Sequence, residues 1–466
     1  MKMWAGRFRQ PLDPEFERWQ RSFPFDRRLV QEEVAASRSH ARALAAAGVL
    51  SQAELDTVIG GLDTIAGESA SPELLQDEEA EDIHHYVEKR LVALIGETGY
   101  KLHSGRSRNE QIATDLRLYV RRTIDDLQRG LGALLEALIA RAEKSGTAAM
   151  PSYTHLQPAE PVLVAHWLLA YCEMFFRDAG RLSDCRKRLN ECPLGSGAVA
   201  GTTLPLDRAG MAAELGFDQP TANSIDASCD RDFAIEFVQA LSLLALHLSR
   251  FAEEMILFAT REFGFVRLPQ AYSTGSSAMP QKQNPDSMEL VRGKAARVVA
   301  DATALAVTLK GLPLAYDKDL QETQEPVFSA AETMIAVLSI ATGFAAAVEF
   351  DYERMQAAAT SGFMNAMAAA HYLVKRGVPF RRAHEQIGHA VQWCIENHCE
   401  LQDLALEDLR RFAPEAGPDF YSHITLEAVL ACHDVEGGTA PARVRTAIAA
   451  AGERLAALRG ELHAHA

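Results

Sequence analysis

From Asp232 to Phe263 the chain holds neither glycine nor proline, and apolar residues recur at Phe237, Leu241, Leu244, Leu248, Phe251, Met255 and Phe258. The spacing alternates four and three. Such a heptad seam predicts a straight helix of roughly 30 residues, about 45 Å long, packed lengthwise against others. Similar patterns predict long helices from Glu110 to Lys144, Pro161 to Leu189, Asp286 to Lys310 and Glu325 to Glu349. Five long helices imply a bundle. Strand signals are sparse, so the expected fold class is mainly α.

Outside that block the period shortens. Gly48, Gly60, Gly67, Pro72, Gly96 and Gly99 break the first part, and Pro379, Pro414, Pro418 and Gly437-Gly438 break the last. The expected division is an N-terminal helical domain over 1–105, a central long-helix domain over 106–350 and a small helical C-terminal domain over 351–466. The long helices are apolar over more than one face. Five helices of one chain cannot cover so much apolar surface, and homo-oligomerisation is expected.

Composition narrows the function. With 466 residues and 48% hydrophobic content the chain can bury a large core. Its formal charge of −16 argues against nucleic acid or an anionic membrane as partner. The N-terminus has no apolar run of signal length, and no stretch offers about 18 consecutive apolar residues. A cytoplasmic location is expected. The seven cysteines form no C-x-x-C pair, which predicts reduced packing residues.

Three polar loops carry the candidate chemistry. In Ser273–Asp286, Gly275 with Ser276 and Ser277 gives a pliant backbone able to approach a ligand, and Pro280 and Pro285 confine Lys282 to a short arc. This reads as an active-site lid, with Asp286 able to cap the helix that follows. In Leu102–Gln111, Arg106, Arg108 and Asn109 stand at the mouth of a long helix, a setting suited to clamping a carboxylate or phosphate. A merely solvated, capped helix start fits that segment equally well. In Tyr153–Pro158, Thr154 and His155 precede a further long helix, and imidazole suits proton transfer near neutral pH. Alone, such a histidine more often just bonds backbone.

Other motifs fail. Pro193–Gly201 mimics a dinucleotide loop, but it follows a charged helical stretch and its glycines are misplaced. Asp82, His84, His85 and Glu88 suggest metal ligation without a second ligand element, and no metal is expected. Neither a G-x-S-x-G elbow nor a P-loop occurs.

Together the three loops resemble the fumarase/aspartase superfamily, marked by a GSSxMPxKxNP loop, and within it the argininosuccinate lyase branch. The resemblance rests on MWAGRF at 3–8, LHSGRSRNEQ at 102–111, YTHLQPAEPV at 153–162, PLGSGAVAG at 193–201, GSSAMPQKQNPD at 275–286 and KGLPLAYDKDLQE at 310–322, and spans nearly the whole chain. It implies a homotetramer of three-domain subunits around a twenty-helix core, with active sites assembled from three subunits. The implied reaction splits argininosuccinate reversibly into fumarate and arginine without a cofactor. By the same resemblance Ser276 is the expected base, Lys282 lowers its pKa, His155 assists proton delivery to the departing nitrogen, and Glu289 orients His155. Ser22, Arg108, Asn109, Thr154, Asn284, Tyr316, Gln321 and Gln324 match substrate-contacting positions. Two relatives within the superfamily set alternatives: another fumarate-releasing lyase, such as one acting on adenylosuccinate, and a catalytically silent lens-crystallin-like protein. The chain departs from the family pattern at Gln324, where lysine is usual, at Gln283, and over 366–374.

Overall fold

The computed structural model describes residues 10–69 and 75–465; the MWAGRF segment lies outside them. The molecule is mainly helical. In chain order the elements that matter here are α1 (Val30–Ala46), α2 (Gln52–Glu68), α3 (Ile83–Ile95) and five long helices: α4 (Arg108–Ser145), α5 (Val164–Leu189), α6 (Asp232–Phe258), α7 (Asp286–Leu309) and α8 (Gln324–Ala347). Helix α9 (Phe380–Glu396) stands among the shorter C-terminal helices. Local chemistry sets several ends. Ser51 and Glu54 form a reciprocal capping box on α2, Asp82 caps α3 by accepting the His85 amide, and Gly96 ends α3 with a φ of 71°.

The heptad seam of α6 is buried throughout, from Phe237 to Phe258. Tyr171 and Phe344 meet Phe251 edge-on, with centroids 5.3 and 6.5 Å apart. Helix α6 and the run Lys318–Ala347 match a membrane span in length and apolarity; the buried seam gives α6 the character of a core helix. Apolar residues also stand exposed on the long helices, among them Leu243, Leu246, Leu290, Val299, Val307, Ile335 and Ile340.

Packing divides the chain into two compact units. The first comprises 1–126, 180–242 and 297–333, and the second 127–179, 243–296 and 334–466. Each unit takes part of every long helix.

Strands among the described residues form four two-stranded pairs, and two of them replace expected loops or helix. Strand β1 (Ala149–Thr154) pairs antiparallel with β2 (Gln157–Leu163). The helix expected from Pro161 therefore begins at Val164, because the residues before it satisfy their backbone groups across the hairpin. Within the expected lid, β3 (Thr274–Gly275) pairs with β4 (Gln283–Asn284).

Candidate active site

The sequence-predicted residues fall into two groups, one in each unit. In the first unit lie Ser22, Arg108, Asn109, Tyr316, Gln321 and Gln324, and a polar network holds Ser22, Arg108 and Gln321. The buried Ser22 hydroxyl donates to Asp26 at 2.6 Å, and the other oxygen of Asp26 accepts the Ile83 amide at 3.0 Å. Beside Ile83, Asp82 accepts from Arg108 Nη1 at 2.8 Å. Burial and the Asp82 charge together push the Asp26 carboxyl up to about 7. Gln321 donates to the Gln20 carbonyl at 3.1 Å, drawing the 318–323 turn onto the segment that carries Ser22. Asn109 lies in the first turn of α4, its amide donating to Ser107 Oγ at 3.3 Å.

Arg106 departs from the expected clamp. Its side chain is buried and turned inward, donating to Ser37 Oγ at 2.9 Å and standing 3.7 Å from Glu33. Glu33 is the centre of this network. It also accepts Gln111 Nε2 at 3.2 Å and meets His84 Nδ1 at 2.8 Å. Burial raises the Glu33 carboxyl, but His84 and Arg106 outweigh it and hold the group well below the ordinary range. Asp115, also buried, lies 3.7 Å from the same His84 nitrogen; burial and the Glu33 charge push its carboxyl well up. Glu33, His84 and Asp115 could together hold a metal ion by distance. The Arg106 guanidinium, 3.7 Å from Glu33, opposes a cation there.

Sequence reasoning passed over Asp26, Glu33 and Asp115, acidic residues on helices that look like solvated positions. It also passed over Arg231, which is 1% exposed. Arg231 Nη1 donates to the Asp230 carbonyl at 2.7 Å, while its Nε and Nη2 find no acceptor among the described residues. Arg231 acts electrostatically on Tyr316, whose phenol burial pushes up to about 12. The available signal was the CDRD run at the mouth of α6, an arginine between two aspartates. Gln324 is 2% exposed and its Oε1 has no donor among the described residues. The glycine-rich turn rejected as a nucleotide loop serves the scaffold instead, since the Gly197 amide donates to Glu110 at 2.6 Å and so holds the start of α4.

The second unit carries Thr154, His155, Ser276, Lys282, Asn284 and Glu289. His155 is not at a helix entry but at the tip of the β1–β2 hairpin. His155 and Leu156 have φ of 54° and 58°, the left-handed pair of a two-residue type I′ loop. Asparagine and glycine ordinarily occupy such positions, and two larger side chains there store on the order of 1 kcal/mol each. The hairpin root holds this strain. Met150 and Leu163 are buried, Ser152 Oγ donates to the Glu160 carbonyl at 2.7 Å, Tyr153 packs on Phe263 with centroids 5.5 Å apart, and the Leu163 amide donates to Thr439 at 2.9 Å. The tip is exposed, Leu156 to 72%.

The 276–282 loop is closed at its base by the β3–β4 pair. Asp286 does not cap α7. It lies within the first turn, and its carboxylate accepts the Thr274 hydroxyl. Asn284 Nδ2 donates to the same hydroxyl at 3.4 Å, and Gln283 donates to the Leu268 carbonyl at 3.2 Å. Gln283 thus anchors the loop. At the apex Ser276 Oγ accepts the amides of Met279 at 3.1 Å and Ala278 at 3.3 Å. Such paired donors stabilise negative charge on the oxygen. Lys282 and Glu289 are exposed. Among the described residues no hydrogen bond or ion pair joins Ser276, His155, Lys282 and Glu289 to one another.

Comparison with known proteins bears on this arrangement. A model of the Lyase family matches residues 6–300, and a model of the argininosuccinate lyase C-terminal region matches 363–431. The chain is 63% identical to an argininosuccinate lyase of Koribacter versatilis over 98% of each chain. It is 59% identical to that of Acidobacterium capsulatum, over 97% of this chain and 94% of the other. The solved structure of EDDS lyase in complex with formate superposes with a TM-score of 0.85 at 26% identity, covering 98% of this chain and 93% of that one.

Proposed function

The chain belongs to the argininosuccinate lyase family of the fumarase/aspartase superfamily, carbon–nitrogen lyases, and from that membership we propose how its residues split L-argininosuccinate reversibly into fumarate and L-arginine. This is the closing step of arginine biosynthesis. The hard step is removal of a proton from the carbon beside a carboxylate, which leaves a carbanion delocalised as an aci-carboxylate. Donors fixed in advance must meet that charge.

The environment of Ser276 carries the proposal. Two backbone amides already point at its Oγ, so the oxyanion needed for proton abstraction forms in a site built to hold it. Lys282, on the same loop, adds a positive charge and stabilises the developing dianion. His155 delivers a proton toward the departing nitrogen, with Glu289 orienting it. The leaving group starts as a guanidinium and departs as neutral guanidine, so the demand on the acid is small. Ser22, Arg108, Asn109, Thr154, Asn284, Tyr316, Gln321 and Gln324 bind the substrate, Arg108 taking a succinate carboxylate. At Gln324 an amide offers a hydrogen bond where the family usually supplies a charge. No cofactor takes part.

The working form in this proposal is a cytoplasmic homotetramer of three-domain subunits, divided at residues 105 and 350. Its core is a bundle of twenty helices, and three subunits contribute to each site. The exposed apolar residues of α6, α7 and α8 and the exposure of Thr154, His155, Lys282 and Glu289 support it, since catalysis needs a water-excluding wall that one chain leaves open.

The test mixes purified enzyme with argininosuccinate, and separately with adenylosuccinate, and follows fumarate by ultraviolet absorbance while sedimentation gives the mass. Fumarate from argininosuccinate alone, made by a tetramer, is the expected result. A folded tetramer silent with both substrates would overturn the assignment of reaction, and a stable monomer at micromolar concentration would overturn the shared site.

A further inference from the structure

The C-terminal end of α9 brings two thiols together. The helix stops at Glu396, Asn397 caps it, and His398 takes a left-handed φ of 53°. The Cys399 amide then donates back to the Cys394 carbonyl at 3.0 Å. This is the six-to-one bond of a Schellman turn, whose third-from-last helical residue packs against the residue two beyond the cap. An apolar pair usually fills those positions. Here both are cysteines, and their side chains interact across the turn. Cys394 lies buried and Cys399 half-buried, both as free thiols.

We propose that Cys394 and Cys399 are a modification site that closes to a reversible disulfide across this turn when the protein meets a hydroperoxide. The Cys399 thiolate attacks the peroxide; the O–O bond breaks, an alcohol or water leaves, and Cys399 becomes a sulfenic acid. Cys394 sulfur then attacks Cys399 sulfur, the S–O bond breaks, and hydroxide departs with the Cys394 proton as water. Two thiols lose two electrons and the peroxide takes them up. The order follows from position. Burial, and then the neighbouring Cys399, push the Cys394 thiol up to about 12, so the accessible Cys399 meets the oxidant first and Cys394 resolves it.

The turn is also tied to a second one. Glu400, next to Cys399, accepts the amides of Gly362 and Phe363 at 2.9 and 3.2 Å, and Phe363 is left-handed too, with a φ of 60°. A cross-link at 394–399 therefore stiffens both strained turns against local opening.

Both cysteines lie in the single tryptic fragment 383–410, between Arg382 and Arg410. Full-length enzyme is treated with hydrogen peroxide or with dithiothreitol, blocked with N-ethylmaleimide in urea so that the buried Cys394 is reached, and digested. The oxidised fragment is expected to be lighter by about 2 Da, the mass of two hydrogens, and to take no maleimide. The reduced fragment takes maleimide on both cysteines, and dithiothreitol added after peroxide restores it. Cys399→Ser enzyme should lose the mass change. Oxidation should also raise the thermal midpoint of the unmodified sequence and leave that of Cys399→Ser where it was. Maleimide on either cysteine after peroxide, oxygen adducts without the loss of hydrogens, or cross-linked subunits would each overturn the proposal. An unchanged midpoint despite a formed disulfide would overturn the stiffening.

Discussion

The two groups of candidate residues are built on opposite principles. In the first unit Ser22, Arg108 and Gln321 each have a fixed partner, and beneath them Glu33, His84, Asp115 and Arg106 form a buried charge cluster. In the second unit His155 and Ser276 ride on hairpins whose roots are anchored and whose tips are exposed. Binding groups profit from being fixed before the substrate arrives, since ordering them then costs nothing further. Proton-transfer groups must meet a substrate and a surrounding wall, and the short loops that deliver them carry little packing of their own.

Substitutions can break or sharpen this contrast. The largest effect is expected at Ser276. Ser276→Ala should lower turnover by about 10³-fold or more with the fold intact, because the proposed base and the paired amide donors meet at the same oxygen. Fumarate release rates measured alongside His155→Asn decide the roles: near-normal turnover in Ser276→Ala with none in His155→Asn would exchange them.

Next comes the buried cluster. Glu33→Gln removes the charge that Arg106 faces and should cost about 3–5 kcal/mol in urea unfolding, as breaking a buried pair does. Asp115→Asn, at a carboxyl that burial and the Glu33 charge push toward the neutral form, should cost less than about 1 kcal/mol. Equal losses in the two would show that Asp115 is ionised.

Asp26 gives a pH signature. Its folded pKa of about 7 lies above the ordinary 3.8, so the folded state binds the proton more tightly. The stability this contributes is complete below the unfolded value and is lost as pH rises through about 7. Asp26→Asn should therefore unfold at a higher urea midpoint than the parent at pH 8 and at nearly the same midpoint at pH 4. A parallel shift at both would mean the carboxyl titrates normally.

The smallest effect is at the hairpin tip. Leu156→Gly removes a side chain from a left-handed position and should stabilise the fold by about 1 kcal/mol. A lower thermal midpoint would indicate that Leu156 is covered in the assembled enzyme.

Much of the scaffold was legible in the sequence. Expected helices from Glu110, Asp286 and Glu325 begin at Arg108, Asp286 and Gln324, because long apolar seams have a period that side-chain chemistry writes directly. The seam from Phe237 to Phe258 is buried at every expected position. The β1–β2 hairpin was not legible. Its turn uses His155 and Leu156 where asparagine and glycine would announce a type I′ loop, and Pro158 and Pro161 within it look like breakers. The lid pairing was hidden because β3 and β4 contain only two residues each. The polar residues of three loops stood out in the sequence, yet Glu33, Asp115 and Arg231 did not, since a charged residue on a helix gives no sign of burial until its partners are known.

By itself the sequence determined the helical class, the long seams, the family and the residue types that gather in three loops. All of these are written in local spacing and local chemistry. Only the tertiary structure decided that Arg106 turns inward to Glu33, that His155 stands on a strained hairpin tip, that two amides converge on Ser276 and that Cys394 meets Cys399 across a turn. Each depends on where backbone groups find their partners and on which charges lose their water, and those are properties of the folded chain.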